Sequence, residues 1–424
     1  AFDKGKQIHD EIDRKNLFVK NVILGTALVD MYAKCGALKR AKEVFDELQI
    51  RNVGSWNALI FGYAQNELTE EALNCYELMR KDAVSPDSVT YLCILKACTG
   101  ARAIDKGKQI HEDIIRDKLI KDDDVALGTA LVDMYAKCGQ LSKAQQVFDG
   151  LRVRDAICWD ALITGYAQQG QGEEALNCYE KMQKEGFSPD PITFSCILKA
   201  CAGMGDIEKG KEIHDEIVKH NLLERNVVLA TALVDMYAKC GVLGKAQQVF
   251  DELVVHDVAC WTALIAGYAQ QGHGAEAVNC FEKMQKAGFV PDAPTFLCIL
   301  NACSHSGLVD KGEVYYVEMT EKYGLTPGMD HHACMAGLYG RAGHFEKAVE
   351  VIKRIPSDGN IHIWLALLGA CEKWGNVEVG RWAFERALQS DGCSTMAYVL
   401  MSNIYVAAGM KEDARKLEVM SAKK

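Results

Sequence analysis

Proline is scarce in this chain, with 7 among 424 residues. Three of the seven, Pro86, Pro189 and Pro291, hold one phase, and each is followed by aspartate. Proline cannot continue a helix, and aspartate after it can cap the next one, so these dipeptides read as punctuation. No C-x-x-C occurs among the 17 cysteines. The odd count, phased with an internal repeat, argues against a disulfide framework and for reduced, packed thiols in a reducing compartment. Cationic side chains are in deficit: 48 Lys and Arg against 58 Asp and Glu give a net charge of −10. That excludes general, charge-driven nucleic-acid binding, although a basic groove on an acidic body is still allowed. No run approaches 18 consecutive apolar residues, which excludes the usual helical membrane span. Strand-like alternation and low-complexity linkers are also missing. The chain begins at Ala1 inside a repeat, so any targeting peptide is expected to lie outside it.

What is present is repetition. TALVDMYAKCG begins at Thr26, Thr129 and Thr231, giving periods of 129 − 26 = 103 and 231 − 129 = 102 residues. W-x-ALI begins at Trp56, Trp159 and Trp261, and Trp364 continues the phase. GK[QE]IH begins at Gly5, Gly107 and Gly210. One unit of about a hundred residues, carrying three sub-repeats, therefore stacks roughly four times. Each sub-repeat reads as a helix hairpin. Ala27, Leu28, Val29, Met31 and Tyr32 form one apolar stripe, which Gly36 stops. Leu38, Ala41, Val44, Phe45 and Leu48 form the next. A hairpin that can bury its apolar face only against its neighbours makes a solenoid.

LVDMYAKCG, W-x-ALI-x-GYAQ, ILKAC-x-G and GK-x-IH, in this order, resemble the plant PLS subgroup of pentatricopeptide repeat proteins. The resemblance covers the whole chain and implies an all-α, right-handed solenoid of helix-turn-helix repeats. It places a partial L motif at 1–21, then S (22–52), P (53–87), L (88–124), S (125–155), P (156–190), L (191–226), S (227–257) and P (258–292). NACSHSGLVDKG (301–312) and CMAGLYGRAGHFEKA (334–348) look like terminal L and S motifs, closing an array of 22–360. Residues 361–424 look like two tetratricopeptide-like extension motifs, the second truncated. Such extensions typically mark organellar RNA-editing factors, so the resemblance implies a plant chloroplast or mitochondrion.

In this family the fifth and last residues of a motif read one base of single-stranded RNA, as helical repeats can. Carried over, Thr26 with Asn52 implies adenine and Asn57 with Asp87 implies uracil. Thr129 with Asp155, Thr231 with Asp257, and Thr262 with Asp292 each imply guanine. Asp160 with Asp190 departs from the standard pairs and is assigned no base. Leu92 and Ser195 fill the fifth place of the L motifs, where the code is weak. The implied preference is A-U-n-G-n-n-G-G. Ile23, Val89, Ile157, Ile192 and Val228 hold the second position, which often wedges between bases; Gly54 breaks that pattern. Lys34, Lys137 and Lys239 lie eight residues after Thr26, Thr129 and Thr231, about two helical turns on, and so share their face as candidates for RNA phosphates.

Catalysis has little support. The family's zinc deaminase needs an H-x-E and a C-x-x-C, and neither is expected here. His331, His332 and Cys334 fit no usual zinc spacing. His9, His111 and His214 share one phase, which suits a packing role. No metal or cofactor is expected. The expected function is target recognition for C-to-U editing, with a deaminase domain or editing protein engaged through 361–424, where Trp364, Trp374 and Trp382 are candidates. The rival reading is a tetratricopeptide-like protein-interaction scaffold without an RNA ligand.

Overall fold

A computed structural model describes residues 2–14, 21–117, 119, 125–223, 226–354, 361–390 and 394–421. The motif borders at 124 and 360, residues 15–20 of the first motif and the last three residues lie outside that set. Among the described residues there are 25 helices and no strand. The architecture is a solenoid of helical hairpins, as the repeats require.

Hairpins form because each boundary is written locally. The first helices start one residue after an Asn or Asp cap, as at Val53–Gln65 after Asn52 and Val258–Gln270 after Asp257. They end at turns such as Gly36, Gly139 and Gly241, each at positive φ. The second helix of an S motif has 10 residues (Leu38–Glu47, Leu141–Gly150, Leu243–Glu252). Its P-motif counterpart has 13 (Thr69–Lys81, Gly172–Lys184, Gly274–Lys286). The motifs read as S type are therefore shorter in their second helix.

The chain divides into two compact units, Ala1–Met204 and Gly205–Lys424. The division falls at the turn between Pro191–Met204 and Ile207–Lys219. In the first unit, Val22–Lys34, Val53–Gln65, Ser88–Gly100, Val125–Lys137, Ala156–Gln168 and Pro191–Met204 pack side by side as one layer. The second helices cover its other side. In the second unit the corresponding layer runs from Val227–Lys239 through Val258–Gln270, Ala293–Ser306, Met329–Ala342 and Ile361–Trp374 to Thr395–Ala407.

Close approach within a layer depends on small residues. A Cβ on Gly165 would meet the Ala136 Cβ at 2.6 Å, and one on Gly267 the Ala238 Cβ at 2.4 Å. The phased aromatics are core. Trp56, Trp159 and Trp261 meet Phe45, Phe148 and Phe250 edge to face at 4.5, 4.5 and 4.6 Å. The phased histidines bond tyrosine hydroxyls one helix away: His9 with Tyr32, His111 with Tyr135 and His214 with Tyr237, at 2.9, 3.0 and 2.9 Å. Among the described residues every cysteine is free. Burial pushes thiols such as Cys98, Cys303 and Cys371 up to about 12, so they stay protonated.

Candidate nucleic-acid interface

Six motif-final residues among those described each cap the helix that follows. Asn52 Oδ1 accepts the Ser55 N–H at 2.9 Å, Asp87 that of Thr90 at 2.9 Å and Asp155 that of Cys158 at 2.8 Å. Asp190, Asp257 and Asp292 do the same for Thr193, Cys260 and Thr295. Each capped helix packs on the first helix of the motif before it. The cap therefore meets the fifth residue of its own motif, and two positions about 30 residues apart in sequence come together.

Five of the six expected pairs are linked by hydrogen bonds. Asn57 Nδ2 donates to Asp87 Oδ1 at 2.9 Å. Thr129 and Thr231 hydroxyls lie 3.4 and 3.5 Å from Asp155 and Asp257 Oδ1. Thr262 and Asp292 are joined through the Thr295 hydroxyl, 2.7 Å from the Thr262 hydroxyl and 2.6 Å from Asp292 Oδ1. Asp160 and Asp190 are joined through Thr193 in the same way, at 2.5 and 3.0 Å. The sixth pair is not linked: Asn52 is occupied by its capping box with Ser55, and the buried Thr26 hydroxyl has no partner.

The two P-motif carboxylates differ electrostatically. Burial works to raise Asp87, but bonds from Thr90, Asn57 and Val89 outweigh it and hold the carboxyl below its ordinary value. Asp160 is raised by burial and then by the neighbouring charges of Asp190 and Asp155, with the Thr193 bond opposing.

The second-position residues Ile23, Val89, Ile157, Ile192 and Val228 are all more than half exposed. Lys34, Lys137 and Lys239 are exposed, but each bonds an aspartate of its own helix: Asp30, Asp133 and Asp235, at 2.7, 3.0 and 2.8 Å. Sequence reasoning passed over those acids, although D-x-x-x-K is plainly written. It also passed over Lys96 and Lys199. Both are exposed, lie four residues after Leu92 and Ser195, and form no ion pair among the described residues. Their recurrence in ILKAC was the available signal. Thr90, Thr193 and Thr295, each fully buried, were missed as well. They share the 103 and 102 spacing.

The residues considered for metal or docking take ordinary structural places. Gly328 N–H donates to His331 Nδ1 at 3.1 Å, which puts the ring proton on Nε2, 2.9 Å from the Ala293 carbonyl. His332 bonds the Tyr316 hydroxyl. H-x-E triplets do occur at His9, His214 and His344, without a C-x-x-C. Trp364 is buried against Trp382 at 5.2 Å and belongs to the core. Trp374 is half exposed and donates to the Arg341 carbonyl at 3.2 Å.

Known proteins share this pattern. A family model described as the PPR repeat family matches residues 51–100, 154–203 and 256–322. A PPR repeat model matches 26–53, 129–155, 192–222, 228–258 and 333–360. The chain is 38% identical over 414 residues to the Arabidopsis thaliana pentatricopeptide repeat-containing protein At2g33680, covering 97% of this chain and 56% of that protein. It is 38% identical to the chloroplastic At1g11290 of the same plant, over 98% of this chain and 51% of the relative. A mitochondrial relative, At3g11460, is 36% identical over 98% and 66%. The chain thus spans about half to two thirds of the length of these relatives. In fold it is similar to the maize pentatricopeptide repeat protein PPR10, with a TM-score of 0.70 at 18% identity, covering all of this chain and 62% of that one. The structure of PPR10 in complex with an 18-nt psaJ RNA element gives 0.76 at 17% identity, over 97% and 62%.

Proposed function

This chain belongs to the pentatricopeptide repeat family, and we propose that it binds single-stranded RNA sequence-specifically, one base per reading motif. The observation that carries the proposal is the recurring fifth-residue and cap pair, built as a linked polar group three times on the first helices of one unit and twice on those of the other. Such a pair offers one oriented polar group per motif, at the spacing a helical-repeat code needs. The exposed Ile23, Val89, Ile157, Ile192 and Val228 give bases an apolar surface. Lys96 and Lys199 are unneutralised partners for phosphate, and Lys34, Lys137 and Lys239 can contribute once they exchange their aspartates. The RNA named with maize PPR10 supports the same class of ligand.

In the fuller form of the proposal the chain recognises targets for a plant organellar C-to-U editing factor. It places a cytidine for a deaminase supplied elsewhere, through contacts made by 361–424. The chloroplastic and mitochondrial relatives support an organellar setting. Selection of the purified chain against a randomised RNA pool tests the reading. The expected motif is A-U-n-G-n-n-G-G. An unrelated motif contradicts the base assignments, and no motif contradicts specific binding.

A further inference from the structure

We propose that the third residue of the following motif positions the base readers Asn57, Thr129, Asp160, Thr231 and Thr262, and that readers held by a threonine hydroxyl discriminate more sharply than readers held by a cysteine thiol. The inference rests on the RNA-reading proposal above. Behind the P-motif readers stand Thr90, Thr193 and Thr295, all fully buried. Each hydroxyl lies between the reader and the capping aspartate. Behind the S-motif readers Thr129 and Thr231 stand the buried thiols of Cys158 and Cys260.

Counting protons shows what the threonine does. Thr90 Oγ1 donates toward Asn57 Oδ1 at 2.6 Å, with Asp87 Oδ1 at 2.9 Å as the competing acceptor. Asn57 Nδ2 faces Asp87, which as a carboxylate can only accept. The amide is thereby fixed against flipping, with one N–H and one lone pair left for a base. That donor–acceptor set suits the N3–H and carbonyls of uracil. At Thr262 the chain runs in one direction. Asp292 accepts from Thr295, and the Thr262 proton goes to Thr295 or to the Val258 carbonyl at 2.8 Å, in either case inward. The Thr262 oxygen is left as an acceptor for the N1–H and N2–H donors of guanine.

The S-motif readers are held more loosely. Thr129 and Thr231 lie 3.4 and 3.5 Å from their aspartates, long for O–H···O, and their other partner is a thiol. A thiol is a weak donor and a weak acceptor, so the rotor of the reader is less constrained.

The test is RNA selection from a randomised pool by the wild-type chain, Thr295→Val, Thr295→Ser and Cys260→Thr, scored position by position, with helical melting followed in parallel. Thr295→Val should lose base preference roughly two- to tenfold at the position read by Thr262 and nowhere else. Thr295→Ser should keep it. Cys260→Thr should sharpen the position read by Thr231 alone. A purely structural Thr295 would lower affinity for all RNAs equally and leave the preferences intact, which overturns the inference. Should Thr295→Val fail to fold, an unchanged Cys260→Thr profile overturns it alone. A wild type that selects no motif overturns the RNA reading, and the positioning role falls with it.

Discussion

Asp87 and Asp160 stand at opposite ends of two equivalent polar pairs, and their values shift in opposite directions. Asp87 is the cap, and three donors keep it ionised. Asp160 holds the candidate reading position, and it faces Asp190 with one threonine proton between two carboxylates. The folded value of Asp160 is raised above its unfolded 3.8, so the folded chain binds the proton more tightly than the unfolded one. Stability is therefore lost as pH rises from about 3.8 through the folded value, and the deficit persists above it. Asp160→Asn removes that charge while keeping the shape. It should raise the melting temperature at neutral pH, and the gain should shrink as pH falls toward 4. Thermal melts across that range decide it; a variant no more stable than wild type at neutral pH contradicts the account. Asp87, lowered in the fold, behaves oppositely: its contribution is present at neutral pH and lost as pH falls through its folded value.

At the scale of elements, the turns between helices separate the first copy of the unit from the later ones. Ala83 sits at φ 56° where Gly186 and Gly288 sit at 86° and 84°. A left-handed non-glycine residue costs about 1–2 kcal/mol, while glycine's freedom in the unfolded chain costs about 0.5–1 kcal/mol. The first term wins, so Ala83→Gly should stabilise by about 0.5–1 kcal/mol. A urea midpoint that moves up confirms it, and one that moves down shows that Ala83 is unstrained. Most elements were readable in advance. The stripe at Ala27–Cys35 is the core of Val22–Lys34, and Leu38–Leu48 became Leu38–Glu47. Period and punctuation are local signals, and helices respond to them. The Thr90, Thr193 and Thr295 links were not legible, because each joins residues about 33 positions apart through a hydroxyl that also looks like an ordinary cap. The Asp30–Lys34 pairing was legible at i, i+4 and simply outweighed by the search for phosphate contacts.

At the scale of the molecule, an acidic chain that binds RNA must draw on something besides bulk charge. Acids exceed bases by ten, and three of the phased lysines are matched by aspartates on their own helices. Base contacts and stacking on exposed Ile and Val must then carry much of the affinity, which suits a reader of sequence better than a general binder. The central claim is that each pair reads its own base. Converting Thr262→Asn, with Asp292 kept, copies the Asn57–Asp87 pair into another motif. Binding measured against RNAs differing only at the last read position should shift from guanine to uracil. The change in discrimination should be on the order of 1–3 kcal/mol. The same base preference before and after the substitution would show that Thr262 does not read a base.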